Sequence, residues 1–468
     1  MKKIILDGTM LNVDDLNLIA NNQAILEVDE NVFIRLEKKR KEFLKKFDVS
    51  KVMKDYGASY VELDWSSKKI STLDVRSVMV VLLNSLINSN VGISRKTVEI
   101  LENMINYKIT PVLDENKSNH DNLCALCLAM NGVGKVNYEN DIVDAKEAFR
   151  KSRLQILELD SIDTYSIQNS SVFDIALVSI LVKNSKDFLE TIDLISAISL
   201  EGLNGNVTPL DESIYKHRPF EENLVVAKNM NNILKGSYIY TSEKIALQDP
   251  LSYRDITHIH GSARHILNNL EKKVCMGLNY VPHIIIDKDG YYSTTNDSIA
   301  WTINVEMLGQ IFSHMSKSSV FRTIKLSDTR FTGLNRYLSP DNEVHAFAIV
   351  PNCVSGLDAE IRHLANPSNS DFFSYKSKYD DYDCNSRQVT MKVNEILEKL
   401  AYVFGVELMC SCQAIDLRDN IKLGERTSIV YDKVRDVLPF YDADRNLTSD
   451  IEKMYSLVKS KILIKEVC

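Results

Sequence analysis

Apolar residues recur every three or four positions along most of this chain and seldom alternate with polar ones, a pattern that predicts long helices and few strands. Ile4-Ile5-Leu6 ahead of Asp7-Gly8, then Leu11 and Leu16, predicts a short strand and a turn into a helix. Phe33, Leu36, Phe43 and Phe47 fall at helical spacing within the charge-rich stretch 31–54, as in an amphipathic helix with one solvated face. Residues 74–106 read as an apolar helix, a break near Gly92 and a second helix, and residues 110–122 as a polar loop around Pro111. Helical periodicity returns over 142–154, 164–203, 301–320 and 388–412, and a further helix is expected from Pro250 to Val274. Asp289-Gly290 behind Ile284-Ile285-Ile286 is a hairpin signal. The Ser-, Asp-, Asn- and Tyr-rich stretch 366–387 reads as a loop long enough for a lid. The expected fold class is mainly α: one bundle of long helices, with a small N-terminal layer and a minor hairpin.

Composition narrows the partners. Glycine (16) and proline (9) are scarce among 468 residues, which favours helices over a turn-rich β fold. A net charge of −8 argues against nucleic acid and anionic membranes, which select a basic excess. The longest apolar runs, Val78 to Leu83 and Ile175 to Val182, fall well short of the ~20 residues a spanning helix needs. Eight cysteines without a framework spacing point to free thiols in a reducing compartment, so the expected location is the cytoplasm. Besides Cys124 and Cys127 the only other tight cysteine pair is Cys410 and Cys412, and the single residue between the latter departs from zinc-site spacing; no metal is expected. His258, His260 and His265 share one predicted helix with no evident carboxylate partner and read as ordinary helix histidines.

The strongest local string is Gln248-Asp249-Pro250-Leu251-Ser252-Tyr253-Arg254, with His260-Gly261 beyond it. Asp249 is placed to cap a helix that Pro250 begins. Arg254, one turn in, can clamp a carboxylate through two parallel hydrogen bonds or form a structural ion pair. The string resembles the signature of the histidine, phenylalanine and tyrosine ammonia-lyases and the related aminomutases. Other segments match in the same order: Tyr56-Gly57, Asn84-Ser85-Leu86 with Gly92-Ile93-Ser94-Arg95, Gln168-Asn169, Phe347, Asp380-Asp381-Tyr382, and Gln413-Ala414-Ile415-Asp416-Leu417-Arg418. The resemblance spans nearly the whole chain. It implies the long central bundle of the ammonia-lyase and fumarase-like fold, with an N-terminal part over 1–110, the bundle over 111–410 and a C-terminal helical part over 411–468. It implies a homotetramer in which residues near 56 and 380 of one chain meet residues near 169 and 254 of others. By the same resemblance Tyr56 is the catalytic acid or base, and Asn169, Arg254, Gln248, Phe347, Asp380 and Gln413 belong to the substrate site.

The departures bear on function. In the enzymes resembled, an Ala-Ser-Gly triplet cyclises to a methylidene-imidazolone, an electrophile that activates the substrate. The corresponding window here, Val112 to Leu123, holds no glycine, the residue whose unhindered nitrogen and freely bent backbone permit such a cyclisation. Its only serine-centred triplet is Lys117-Ser118-Asn119. Leu251 stands where a tyrosine normally follows Gln-Asp-Pro, and the segment leading to Val75-Arg76-Ser77 is shortened. Ser59 to Leu63 and Thr294 to Ile299 also depart from the family's pattern. The expectation is a lyase relative that uses no cofactor and acts on an aromatic or amino-acid-like carboxylate by tyrosine acid–base chemistry, through elimination, isomerisation or cyclisation. The alternative is an inactive paralogue that binds a ligand, regulates, or pairs with an active lyase as a subunit.

Overall fold

A computed structural model describes residues 1–46, 68–168, 170–280, 284–287, 290–293, 298–341, 344–371 and 382–467. The predicted site residues Tyr56, Asn169 and Asp380 lie outside the described residues, as do residues 372–381 of the lid stretch. The chain divides into two compact units. One comprises Met1–Lys183, Glu271–Trp301 and Phe372–Arg387, the other Asn184–Leu270, Thr302–Asp371 and Gln388–Cys468.

In the first unit β1 (Lys2–Leu6) pairs in parallel with β2 (Ala24–Val28) through α1 (Val13–Ala20), and α2 (Glu30–Lys46) follows. Helix α3 (Thr72–Asn88) starts where the Ser71 hydroxyl accepts the Asp74 amide, and from Val75 to Leu83 it is buried on every side. A helix apolar all round belongs in a core. Arg76 is accommodated there by donating to the carbonyls of Ile19, Ala20 and Ile105. The break foreseen near Gly92 has a steric cause. Its φ is +71°, and a Cβ there would run into the backbone of Leu36 and Arg40. Helix α4 (Arg95–Asn106) then begins behind its Ser94 cap.

The polar window before α5 (Asn119–Met130) follows a short strand, β3 (Thr110–Pro111), which pairs antiparallel with β4 (Lys135–Tyr138), itself paired with β5 (Asp141–Asp144). The helix expected over 142–154 is corrected here. Ile142 and Val143 belong to β5, because Glu139 and Asn140 adopt positive φ (53° and 68°) and turn the chain into a hairpin, and α6 occupies only Ala145–Lys151. Helices α7 (Ser161–Gln168) and α8 (Val172–Leu203) replace the single helix read over 164–203. The later hairpin is present as β6 (Ile284–Asp287) and β7 (Gly290–Ser293).

The second unit is built from the later part of α8 with α9 (Glu221–Ile233), α10 (Leu251–Arg254), most of α11 (Ile256–Leu278) and α12 (Ile299–Leu326). To these it adds α13 (Val350–Leu364), α14 (Ser386–Asp416), α15 (Glu425–Val437), α16 (Thr448–Lys459) and α17 (Ile462–Val467). The helix expected to run unbroken from Pro250 is corrected. Pro250 is itself the N-cap of a four-residue turn, α10, and α11 begins only at Ile256. Asp249 does not cap it; its carboxylate accepts the Asn206 amide at 2.5 Å. The core of this unit carries charge in matched sets. Arg322 and Glu407, both fully buried, bond at 2.6 and 2.9 Å, with Ser319 donating to the same carboxylate. Asp193 receives Asn229 at 2.7 Å and Arg264 at 2.8 Å, and bonds His260 at 2.7 Å. The histidine reading is therefore corrected in one respect: His260 has Asp193, and His265 has Glu222 at 3.0 Å. Both partners are distant in sequence, which hid them.

Among the described residues no single helix is long and apolar enough to cross a membrane, and no group of three or more His, Cys, Asp or Glu is placed to hold a metal.

Candidate functional site

Two regions carry chemistry, one in each unit. The first is the start of α5, the window where the resembled enzymes build their electrophile. Ser118 is the N-cap, its hydroxyl accepting the Asp121 amide at 3.0 Å. Asn122 clasps the strand end before it, donating to the Asp114 carbonyl at 2.9 Å and accepting the Asp114 amide at 3.0 Å. Arg387 fastens the same segment, donating to the carbonyls of Glu115 and Lys117 at 2.9 Å and to Asn119 Oδ1 at 3.1 Å. Asn119 in turn donates Nδ2 to Asp174 Oδ1 at 2.9 Å. Asp174 sits in the first turn of α8, nearly enclosed. Burial pushes its carboxyl up to about 6; the Asn119 hydrogen bond opposes that, Asp383 adds to it, and Arg387 opposes it. One position further along α5, His120 bonds the Gln168 carbonyl through Nδ1 at 3.1 Å and faces Cys124 through Nε2 at 3.6 Å. Burial pushes the Cys124 thiol up to about 11, which keeps it a neutral thiol and a poor nucleophile near neutral pH. The arrangement offers a carboxyl group raised to about 6 beside a helix start stapled by Arg387 and Asn122. Such a group can exchange a proton or sit opposite a cation.

The second region spans 238–254. Gln248 is exposed. Lys244 donates to the Ile239 carbonyl at 2.6 Å, Ser242 at 3.0 Å and Asn204 at 3.2 Å, and burial lowers its ammonium to about 8. Tyr253 points inward, bonding Ser199 at 3.1 Å, and Leu251, in the place of the family's tyrosine, is 60% exposed. Arg254 is half-buried. Its Nε is enclosed without a hydrogen-bond partner, and its guanidinium forms no ion pair among the described residues. Asp249 lies close enough to feel its charge, and a guanidinium with an unused donor has the chemistry to bind an anion.

The remaining predicted residues come together for packing. Phe347 is buried against Tyr441 with ring centres 5.1 Å apart. Gln413 spends its amide on backbone, donating to Leu338 at 3.3 Å and Tyr441 at 3.1 Å and accepting the Tyr441 amide at 3.0 Å. Asp416, in the same motif, accepts from Tyr431 and Arg435. Arg418 donates to the carbonyls of Gly202 and Leu203 at the end of α8 and of Thr332, all near 3.0 Å. Sequence reasoning missed Asn119, Asp174, Arg387 and Lys244. Asp174 carried a signal, an acid inside an otherwise apolar helical run. Arg387 carried none, because its partners are some 270 positions away.

Helices of 32, 28 and 31 residues make the frame of the helical lyases. The chain belongs to the aromatic amino acid lyase family, matching it over residues 66–436. It is 30% identical to the ergothioneine-degrading enzyme ergothionase from Treponema denticola, solved in complex with desmethyl-ergothioneine sulfonic acid, with a TM-score of 0.91 over 99% of this chain and 100% of that one. It is 23% identical to histidine ammonia-lyase of Alkaliphilus metalliredigens, over 100% of this chain and 99% of that one. With histidine ammonia-lyase of Trypanosoma cruzi it shares the fold, at 20% identity and a TM-score of 0.86 over 99% and 95% of the two chains.

Proposed function

We propose that this protein eliminates trimethylamine from a histidine-derived betaine, with ergothioneine as the reference substrate, and does so without a backbone-derived electrophile. The observation that carries the reading is the end-to-end similarity, at 30% identity, to an ergothioneine-degrading enzyme. The glycine-free window supports it. The Ser118 hydroxyl, which a cyclisation would expel as water, is engaged as a helix cap.

The chemistry is consistent with the loss. A primary amine is a poor leaving group and benefits from capture by an electrophile. A quaternary nitrogen has no lone pair with which to add to one, and it already carries the charge that lets it depart. A base removes the proton from the β-carbon. The C–H electrons become the new carbon–carbon double bond, and the C–N pair leaves with neutral trimethylamine. In this reading Tyr56 is the base. Arg254 clamps the substrate carboxylate, with Asn169, Gln248 and Asp380 as further contacts, in a cytoplasmic homotetramer whose sites draw on several chains.

The test is to incubate the purified protein separately with ergothioneine, histidine, phenylalanine and tyrosine and to measure trimethylamine and ammonia. Trimethylamine from ergothioneine and no ammonia from the amino acids is expected. Ammonia from any of the three would overturn the reading. Binding of the betaine without turnover would favour the non-catalytic paralogue.

A further inference from the structure

Among the described residues, Asp174 is a buried carboxylate with no cation bonded directly to it. Val172, Phe173, Ile175 and Ala176 around it in α8 are all buried apolar residues. A charge in such a place is unfavourable unless something pairs with it. Among the described residues it forms no ion pair; Asn119 fixes Oδ1, and Oδ2 accepts no hydrogen bond. The groups that face it do not supply the missing cation. On α5, Asn119, which bonds the carboxylate, is neutral, and the ring of the next residue, His120, is tied to the Gln168 carbonyl. Asp383 repels it, and Arg387 spends its guanidinium on Glu115, Lys117 and Asn119. Among the described residues, the charges that reach the Asp174 carboxyl are Asp383, which disfavours its ionised form, and Arg387, which favours it.

We propose that Asp174 is the counter-charge for the quaternary ammonium of the substrate, that Asn119 holds this carboxylate in place, and that Arg387 is a positioning residue that holds Asn119. The proposal rests on the betaine reading above. A primary ammonium asks for several hydrogen-bond acceptors, whereas a trimethylated nitrogen has no N–H and is recognised by unshielded negative charge or an aromatic face. A carboxylate with one oxygen pinned by an amide and the other open suits the second kind. The attraction is strongest to the bound substrate and fades as the C–N bond breaks, because trimethylamine leaves neutral. Asp174 therefore contributes to binding more than to the chemical step, and the neutral product is released without an electrostatic hold.

The experiment compares wild type, Asp174→Asn and Asp174→Glu with ergothioneine, and titrates each with tetramethylammonium chloride by calorimetry. Asp174→Asn is expected to raise KM roughly tenfold to a hundredfold with kcat changed by no more than about threefold, and Asp174→Glu to recover part of the loss. In wild type kcat/KM should fall as pH drops through about 6, where the carboxylate becomes neutral, and this limb should vanish in Asp174→Asn. Tetramethylammonium should bind wild type and not Asp174→Asn. If wild type turns over the betaine and Asp174→Asn keeps its KM and its tetramethylammonium binding, the counter-charge is overturned and the betaine reading stands. A collapse of kcat at unchanged KM would make Asp174 a base and overturn it too. If wild type releases no trimethylamine the betaine reading fails, and the tetramethylammonium titration still decides for or against the Asp174 site.

Discussion

The start of α5 and the 413–418 segment at the end of α14 stand in opposite relation to the family. Gln413 to Arg418 matches the family pattern closely, yet Gln413 and Arg418 bond backbone and Asp416 bonds the side chains of Tyr431 and Arg435, contacts that serve the fold. The 112–123 window has lost the pattern, yet it lies beside Asp174, a buried carboxyl poised near neutrality. At 413–418 the resemblance marks what the scaffold needs; under the proposed function the departed window borders the substrate site. Arg254 stands apart from both, a family residue whose Nε has no hydrogen-bond partner among the described residues and whose charge reaches Asp249.

The comparison can be broken first by stability. Arg418 closes carbonyls at the end of α8, so Arg418→Ala should lose about 2–4 kcal/mol in urea unfolding. Arg254→Ala should stay within about 0.5 kcal/mol of wild type. Equal losses would erase the distinction between scaffold and site.

Asp174→Asn should shift stability in the opposite direction. The folded-state pKa is raised, to about 6, so the folded protein holds this proton more tightly than the unfolded chain does. Wild type should lose stability as pH rises from about 4 to about 6, by about 2–3 kcal/mol at most. Asp174→Asn should lack that slope and be the more stable protein at pH 8, as expected where a site group is retained against the interest of the fold. A less stable Asp174→Asn at pH 8 would assign Asp174 to the scaffold.

A smaller effect sharpens the role of Arg254. Arg254→Ala should raise KM for ergothioneine about tenfold to a hundredfold, the scale of a charge-assisted hydrogen bond, and Arg254→Lys should restore it only partly because lysine lacks the planar fork. An unchanged KM would leave the carboxylate without this clamp.

Much of the fold was legible because its cause is local. Period-three-to-four apolar spacing gave α3, α12 and α14, and Gly92 marked a break only glycine allows. The failures came where a turn outweighed periodicity. Glu139 and Asn140 at positive φ made strands of Lys135–Tyr138 and Asp141–Asp144, and the chain paused at Asp255 between α10 and α11. The sequence left Arg254 between a carboxylate clamp and a structural ion pair, and its neighbour Asp249 became visible as a charge partner only in three dimensions. The Asn119–Asp174–Arg387 relay was not legible, since it joins three segments from distant parts of the chain, and neither were the carboxylates that meet His260 and His265.

The most direct test of the account is the intact mass of the purified chain, with peptide mapping across Lys117-Ser118-Asn119. The account predicts the encoded mass without modification. A deficit of two waters confined to that peptide would show that an electrophile forms there, and would contradict the claim that this member of the family works without one.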